Sequence, residues 1–307
     1  MGSDANISTL GLSVIKERLL SMPHLEESNA ASILYQHTVL CQTCMPYRNP
    51  GDGIRRIERC NGTVRLELDA GRLLDPARNE FVDVGLPFGP KARIILFHMN
   101  AVALRTQSPC IELEDSLTGF VHRTLQLNTG ARTIRAVKEQ LNRLAAANFR
   151  LGLIHDGCAL TIKTSVVDCL ELWTPRDPSQ KILWPTTIQF SRQYFESLLE
   201  HAVPLNEDAV SRLSHSALCL DLYTWLAQRL HRVNPIKDAF VPWVSLKEQF
   251  GFEYARMNKF REKFLIALKE VWLVYPAAKF ELDRRGMHLK KSPPPVPPKV
   301  VVSTTGG

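Results

Sequence analysis

Thr129-Gly-Ala-Arg-Thr-Ile-Arg-Ala-Val-Lys-Glu-Gln-Leu-Asn-Arg-Leu-Ala-Ala-Ala147 is the stretch on which the reading of the whole chain turns. Ile134, Val137, Leu141 and Leu144 recur at spacings of three and four, which places them on one face of an α-helix. At about 100° per residue, Arg132, Arg135, Glu139 and Asn142 fall on the opposite side, with Arg143 close by. That face presents Arg and Asn donors with a single acid, which suits a polyanion. Thr129 is placed to cap the first turn, whose unpaired N–H groups attract phosphate. A solvated basic helix without a ligand would show the same pattern, so the neighbours decide.

Phe149-Arg-Leu-Gly-Leu-Ile-His-Asp-Gly-Cys-Ala-Leu-Thr-Ile-Lys163 follows directly, two runs of β-formers around Asp156-Gly157 and therefore a hairpin signal. Upstream, Pro90 suits the first turn of a helix running to Gln107, with Ile94, Ile95, Phe97, His98, Val102 and Leu104 as its apolar surface. His98 reads there as a core or boundary histidine. A short strand at Ile111 and a short helix from Asp115 to Leu125 come next, with Leu117, Phe120, Val121 and Leu125 inward. Helix, short helix, basic helix and hairpin is the order of a winged helix, whose third helix enters the major groove.

The same plan recurs in the second half with different residues. Ser214 to Arg229 reads as a buried helix, Phe240 to Ser245 as a strand, and Leu246 to Gly251 as a short helix closed by glycine. A long helix from Tyr254 to Tyr275 follows, with Met257, Phe260, Phe264, Leu268 and Val271 as its stripe and Arg256, Lys259 and Lys263 along a flank. Pro276 ends it. Lys279 to Lys290 is again a hairpin, with Arg284 and Arg285 at the tip. The expected fold class is α+β, with two tandem winged-helix domains behind an N-terminal extension. The chain divides into an extension at 1–84 (helix plus strands), domains at 85–203 and 204–291, and a proline-rich disordered tail at 292–307.

Within the extension, Glu27 to Cys41 reads as a helix, and Gly62 to Gly71 as a half-buried strand alternating Val64, Leu66 and Leu68 with polar residues. Between the basic helix and Ser191, Val166 to Trp173 and Lys181 to Phe190 read as strands. Ser191 caps a helix holding Tyr194, Phe195, Leu198 and Leu199.

Net charge is +7, and its placement says more than its size. Residues 91–150 carry nine basic and four acidic side chains and residues 236–307 thirteen and seven, whereas 1–90 and 151–235 are each net −2. Each positive block contains one of the two basic helices, as a nucleic-acid footprint requires. No run of about 18 apolar residues and no basic-then-apolar leader is seen, so a cytosolic protein is expected. Seven scattered cysteines do not form a disulfide framework. Cys41 and Cys44 have metal-like spacing, but His37 and Cys60 do not complete a second ligand pair, and ordinary half-buried thiols are the better reading.

Enzymatic motifs are missing. The sequence has no Gly-Lys dipeptide, hence no Walker A loop; it has no His-x-His pair, no H-E-x-x-H and no G-x-S-x-G. The acid pairs Glu112/Glu114 and Glu207/Asp208 read as solvated positions. The expectation is a protein that is not an enzyme and needs no cofactor or metal.

Several blocks in order also resemble the RepA-type plasmid replication initiators, the family defined by the RepA C-terminal region. They are Gly85-Leu-Pro-Phe-Gly-Pro-Lys-Ala-Arg93, Ala103-Leu-Arg-Thr-Gln-Ser108, Ile111-Glu-Leu-Glu-Asp-Ser-Leu117 and Ala217 to Arg232. Leu246 to Gly251, Tyr275-Pro-Ala-Ala278 and Ser292-Pro-Pro-Pro295 extend the match, which runs from about Val39 to Pro298; Phe88 stands where tyrosine is common. The resemblance implies a bacterial protein that binds repeated sites (iterons) at a plasmid origin, helps open the adjacent A·T-rich duplex and brings in a host initiator and the replicative helicase. It also implies dimers that repress their own gene and monomers that start replication.

On this reading the partner is double-stranded DNA, and no membrane is involved. Arg132, Arg135, Asn142, Arg256, Asn258 and Lys259 are the expected base readers, because Arg fits guanine and Asn fits adenine. Lys138, Arg143, Lys263, Arg284, Arg285 and Lys290 are the expected phosphate contacts. The alternative is a winged-helix repressor with no part in replication; a nuclease or primase ranks third.

Overall fold

The computed structural model describes residues 33–75, 78–114, 116–155, 158–172 and 185–297. Part of the expected helix at 27–41, the hairpin tip Asp156-Gly157, the turn between the strands at 166 and 190, and residues 298–307 therefore lie outside the described residues.

The first described element corrects an expectation. Ile33–His37 is a strand (β1), and among the described residues of the expected helix the helical part is Thr38–Gln42 (α1). β1 pairs antiparallel with a distant strand, Ala202–Asn206, in the register Ile33↔Asn206 to His37↔Ala202. A short apolar run is ambiguous between helix and strand, and here a partner far along the chain settles it. His37 then starts α1, its Nδ1 accepting from Val39 N at 3.2 Å while Nε2 meets Ser197 Oγ at 2.9 Å.

Arg56–Asn61 (β2) and Val64–Asp69 (β3) form a hairpin, followed by a smaller one, Arg72–Asp75 (β4) and Glu80–Asp83 (β5). Helix Gly89–Thr106 (α2) leads through Cys110–Glu112 (β6) to Leu117–Gly119 (α3), which continues as a π-turn over Phe120–Thr124. Ala131–Ala146 (α4) and the strands Asn148–His155 (β7) and Cys158–Ser165 (β8) complete this half. β7 and β8 are the expected hairpin, but they do not stand free. They join β2 and β3 in one antiparallel sheet ordered β2-β3-β7-β8, with Leu66 opposite Leu151 and Leu68 opposite Phe149. Val64, Leu66, Leu68, Phe149 and Leu151 are buried on one face, as period-two alternation requires.

Val167–Leu172 (β9) and Pro185–Phe190 (β10) make a second sheet with β6. Arg192–His201 (α5) begins at Ser191, whose Oγ accepts from Tyr194 N at 3.1 Å. After Ala202–Asn206 (β11) come Glu207–Leu213 (α6) and Ala217–Arg229 (α7), capped by Asn206 and Ser216. Ala239–Pro242 (β12), Trp243–Phe250 (α8), Met257–Val274 (α9), Phe280–Leu282 (β13) and Gly286–Leu289 (β14) close the order, with β12-β14-β13 as a small antiparallel sheet. Trp243 to Ser245 is thus helical rather than strand, because the strand breaks at Pro242. Among the described residues, no helix is long and apolar enough to cross a membrane.

The two halves share a buried ion pair. Arg93 on α2 is 1 % exposed, and its five N–H donors are all used. Nε and one Nη meet the two Asp221 carboxylate oxygens at 2.6 and 2.7 Å, and carbonyls of Met45, Pro46 and Gly89 take the remaining N–H groups. Asp221 belongs to α7, which is buried from Ala217 through Gln228. The expected boundary between 203 and 204 falls inside β11, paired with β1.

The tail also starts differently from expectation. Ser292 is buried, its N–H donating to Leu230 O at 3.2 Å and its Oγ accepting from Lys279 N at 2.9 Å, while Tyr275 Oη donates to Pro293 O at 2.6 Å. These hydrogen bonds hold the beginning of the proline-rich segment.

Candidate nucleic-acid interface

α4 presents the face its spacing predicts, with two corrections. Val137, Leu141 and Leu144 are buried, and Ile134 is half-buried. Arg132, Arg135 and Lys138 are exposed, and Asn142 is half-buried. The N-cap is Gly130, not Thr129, and no side chain caps the helix. Asn128 Oδ1 instead accepts from Gly130 N at 3.4 Å and from Thr133 Oγ1 at 2.7 Å, tying the approach to the first turn. The first-turn amides of α4 are left for a ligand or water.

Arg143, expected as a phosphate contact, does not lie on the exposed face. It is 8 % exposed, donates to Leu86 O at 3.0 Å, pairs with Glu139 at 2.9 Å, and stacks over the Phe88 ring at 5.0 Å. The reason lies in the Gly85-to-Gly89 strap, which crosses this flank of α4; Gln140 Oε1 accepts from Phe88 N at 2.8 Å on the same side. A Cβ at Gly85 would meet the Arg143 guanidinium, so a side chain there would have to displace the arginine head from its place against the strap. The helical wheel fixed the angle of Arg143 but could not show what would cover it.

α9 also starts without a side-chain cap, at Arg256. Arg256, Asn258, Lys259 and Lys263 are all exposed, and a shallow depression is lined by Arg256, Met257, Asn258, Lys259 and Glu262. Phe260, Phe264, Leu268 and Val271 are buried beneath them, with Met257 half-buried. Glu262 takes Lys259 at 2.8 Å and lies 3.9 Å from Lys263; this pairing holds its carboxyl below the usual range.

The hairpin beside α9 is stiffened at its tip. Asp283 Oδ1 accepts from Arg285 N and Gly286 N at 2.7 and 2.8 Å, and Trp243 Nε1 donates to Asp283 O at 3.0 Å. Those backbone donors, with His288, hold the Asp283 carboxyl below its ordinary value. Arg284 and Arg285 are exposed there, and Arg285 lies over the Phe240 ring at 5.6 Å. Lys290 is half-buried and paired with Glu281.

Other expectations resolve locally. Cys41 and Cys44 are fully buried, and burial pushes both thiols up; neither joins a metal-ligand group among the described residues. Glu114 is not simply solvated, since Arg123 pairs with it, and Glu207 accepts from Gln126 Nε2 at 3.0 Å. His98 is buried as expected, and burial pushes its pKa down to about 4.

The family described as plasmid encoded RepA protein matches residues 86–243, from the α4-covering strap to the start of α8. The chain belongs to this family. No curated protein matches the sequence. Among solved structures, the RepA-family chain resembles a selenomethionine derivative of domains 2 and 3 of RctB, with 11 % identity and a TM-score of 0.50 over 83 % of this chain and 98 % of that one. A second crystal structure of RctB domains 2–3 gives 11 % identity and a TM-score of 0.46 over 82 % and 96 %. At that identity the likeness concerns the mixed α+β fold.

Proposed function

We propose that this RepA-family protein is a plasmid replication initiator that binds repeated double-stranded sites at its origin through two winged-helix units. The first runs from α2 to β8 and the second from α7 to β14, with α4 and α9 as the helices that enter successive major grooves. The reading is carried by α4: one face is buried, and the other exposes Arg132, Arg135 and Lys138 at the start of an uncapped helix that leads into a hairpin. Arg132, Arg135, Asn142, Arg256, Asn258 and Lys259 read bases; Lys138, Lys263, Arg284, Arg285 and Lys290 hold phosphates. The protein acts in the bacterial cytoplasm without catalysis of its own, recruits the host initiator and helicase, and forms a homodimer when it represses.

Footprinting on the native origin tests the assignment. Arg132→Ala and Arg135→Ala each lose about 1–3 kcal/mol of binding and relax selection at one base pair. Unchanged footprints in the double variant would remove α4 from the interface. A repressor using the same units would give the same footprints, so transformation makes the distinction: a plasmid whose only origin is this one persists when the protein is supplied, and its failure to persist would leave repression as the function.

A further inference from the structure

A group of side chains away from the candidate interface meets where α7 begins. His215 and Cys219 lie four residues apart, and Glu270 comes from α9. His215 Nε2 lies 2.8 Å from Glu270 Oε2, Cys219 Sγ lies 3.4 Å from the same oxygen, and all three ligand atoms are within 4.8 Å of one another. Cys219 and Glu270 are buried, and the His215 side chain keeps 21 % of its surface exposed.

The orientation of the imidazole is informative. His215 Nδ1 lies 3.2 Å from Arg212 O, which can only accept, so Nδ1 carries a proton and donates there. In the neutral ring the Nε2 lone pair then faces Glu270 Oε2 at hydrogen-bond distance, a contact that a proton or a metal ion between the two atoms satisfies. A proton on Nε2 would satisfy this pair alone. A divalent ion would also engage Cys219, and its charge would be balanced by one thiolate and one carboxylate, leaving a buried cluster that is neutral overall. A ligating histidine whose other nitrogen donates to a backbone carbonyl is the usual outer-shell arrangement of metal sites.

We propose that His215, Cys219 and Glu270 bind a divalent transition metal ion of the zinc class. Imidazole nitrogen, thiolate sulfur and carboxylate oxygen together favour a borderline ion over magnesium or calcium. Bonds of about 2.0–2.3 Å set tetrahedral ligand atoms roughly 3.3–3.8 Å apart. The Cys219–Glu270 separation of 3.4 Å already fits; admitting the ion widens the 2.8 Å His215–Glu270 contact by about half an ångström and draws the imidazole and the thiol together from within 4.8 Å. Water reaches the fourth position from the exposed side of His215. Binding releases the Cys219 thiol proton and pins the start of α7 to α9. The proposal is independent of the DNA-binding reading.

The test uses the full chain, stripped of metal under reducing conditions and titrated with Co²⁺. One ion binds per chain, with a near-ultraviolet thiolate-to-cobalt charge-transfer band and the strong visible absorption of a tetrahedral centre; Zn²⁺ displaces it and raises the melting temperature. Cys219→Ser abolishes the band, Glu270→Gln weakens binding about tenfold or more, and changing the exposed Cys60 and Cys110 to Ser leaves the signal intact. Metal-free melts of each variant establish that it folds, and should Cys219→Ser not fold, Glu270→Gln carries the test through its loss of affinity. Absence of a one-to-one thiolate band, or its persistence in folded Cys219→Ser, overturns the proposal and leaves a hydrogen-bonded His–Glu–Cys cluster only.

Discussion

Helices α4 and α9 both carry cations above a buried apolar stripe, yet they hold those cations in different ways. On α4, Arg132, Arg135 and Lys138 are exposed and the nearby acid, Glu139, is taken by the buried Arg143. On α9, Lys259 and Lys263 share Glu262, and in the adjacent hairpin Lys290 pairs with Glu281 while Arg285 lies 3.8 Å from Asp283. Phosphate approaching α4 meets cations whose one neighbouring acid on the helix, Glu139, is already paired with Arg143, whereas phosphate approaching α9 must displace carboxylates. Charge counted along a sequence does not distinguish these cases, because an exposed ion pair is nearly neutral at a distance while remaining weak in itself.

The largest expected effect tests whether α4 and α9 belong to one cooperative body. Arg93→Ala leaves Asp221 buried without its bidentate partner and costs about 3–5 kcal/mol. Urea unfolding followed separately by Trp fluorescence and by far-ultraviolet dichroism should shift as one transition. Two separated transitions, with only one of them moved, would show that the halves carrying α4 and α9 are stable independently of each other.

A smaller effect belongs to the half around α2. His98 and His37 are buried, and burial lowers their pKa values to about 4 and about 3, with Arg105 assisting at His98 and His201 at His37. The unfolded chain titrates these groups near 6.5. Below that pH it binds protons that the folded form refuses, so the stabilisation is complete above pH 6.5 and is lost as pH falls towards the folded values. Each histidine contributes a slope of up to about 1.4 kcal/mol per pH unit in that window. Replacing His98 with Gln should flatten the acid limb of a melting-temperature curve; an unchanged limb would mean that carboxylates alone set it.

The smallest effect sharpens the contrast directly. Glu262→Gln frees Lys259 and Lys263 and should raise affinity for any DNA about two- to fivefold, with a steeper salt dependence as another cation reaches phosphate. Glu139→Gln should change little, since Arg143 stays buried against Leu86 O and Phe88. Equal responses from the two variants would mean that α4 and α9 do not differ in the way described.

Much of the local structure was legible in the residues. The three-and-four spacing of Val137, Leu141 and Leu144, the alternation of Val64, Leu66 and Leu68, and the cap at Ser191 each depend on neighbours within a turn or a strand, and each appears where the sequence puts it. The exposed members of the candidate interface were legible for the same reason. Arg143 was not, nor was the His215–Cys219–Glu270 group, since what covers or completes them comes from elsewhere in the chain.

Periodicity by itself determined the two basic helices, the hairpins that follow them and the order in which they occur, because hydrogen bonds and side-chain faces at that range are set by adjacent residues. Tertiary structure alone decided that Ile33–His37 is a strand, that β7 and β8 extend an N-terminal hairpin, and that Arg93 closes on Asp221. Strand pairing and the burial of charge require a partner brought from a distance, and nothing in a run of residues records which surface will arrive.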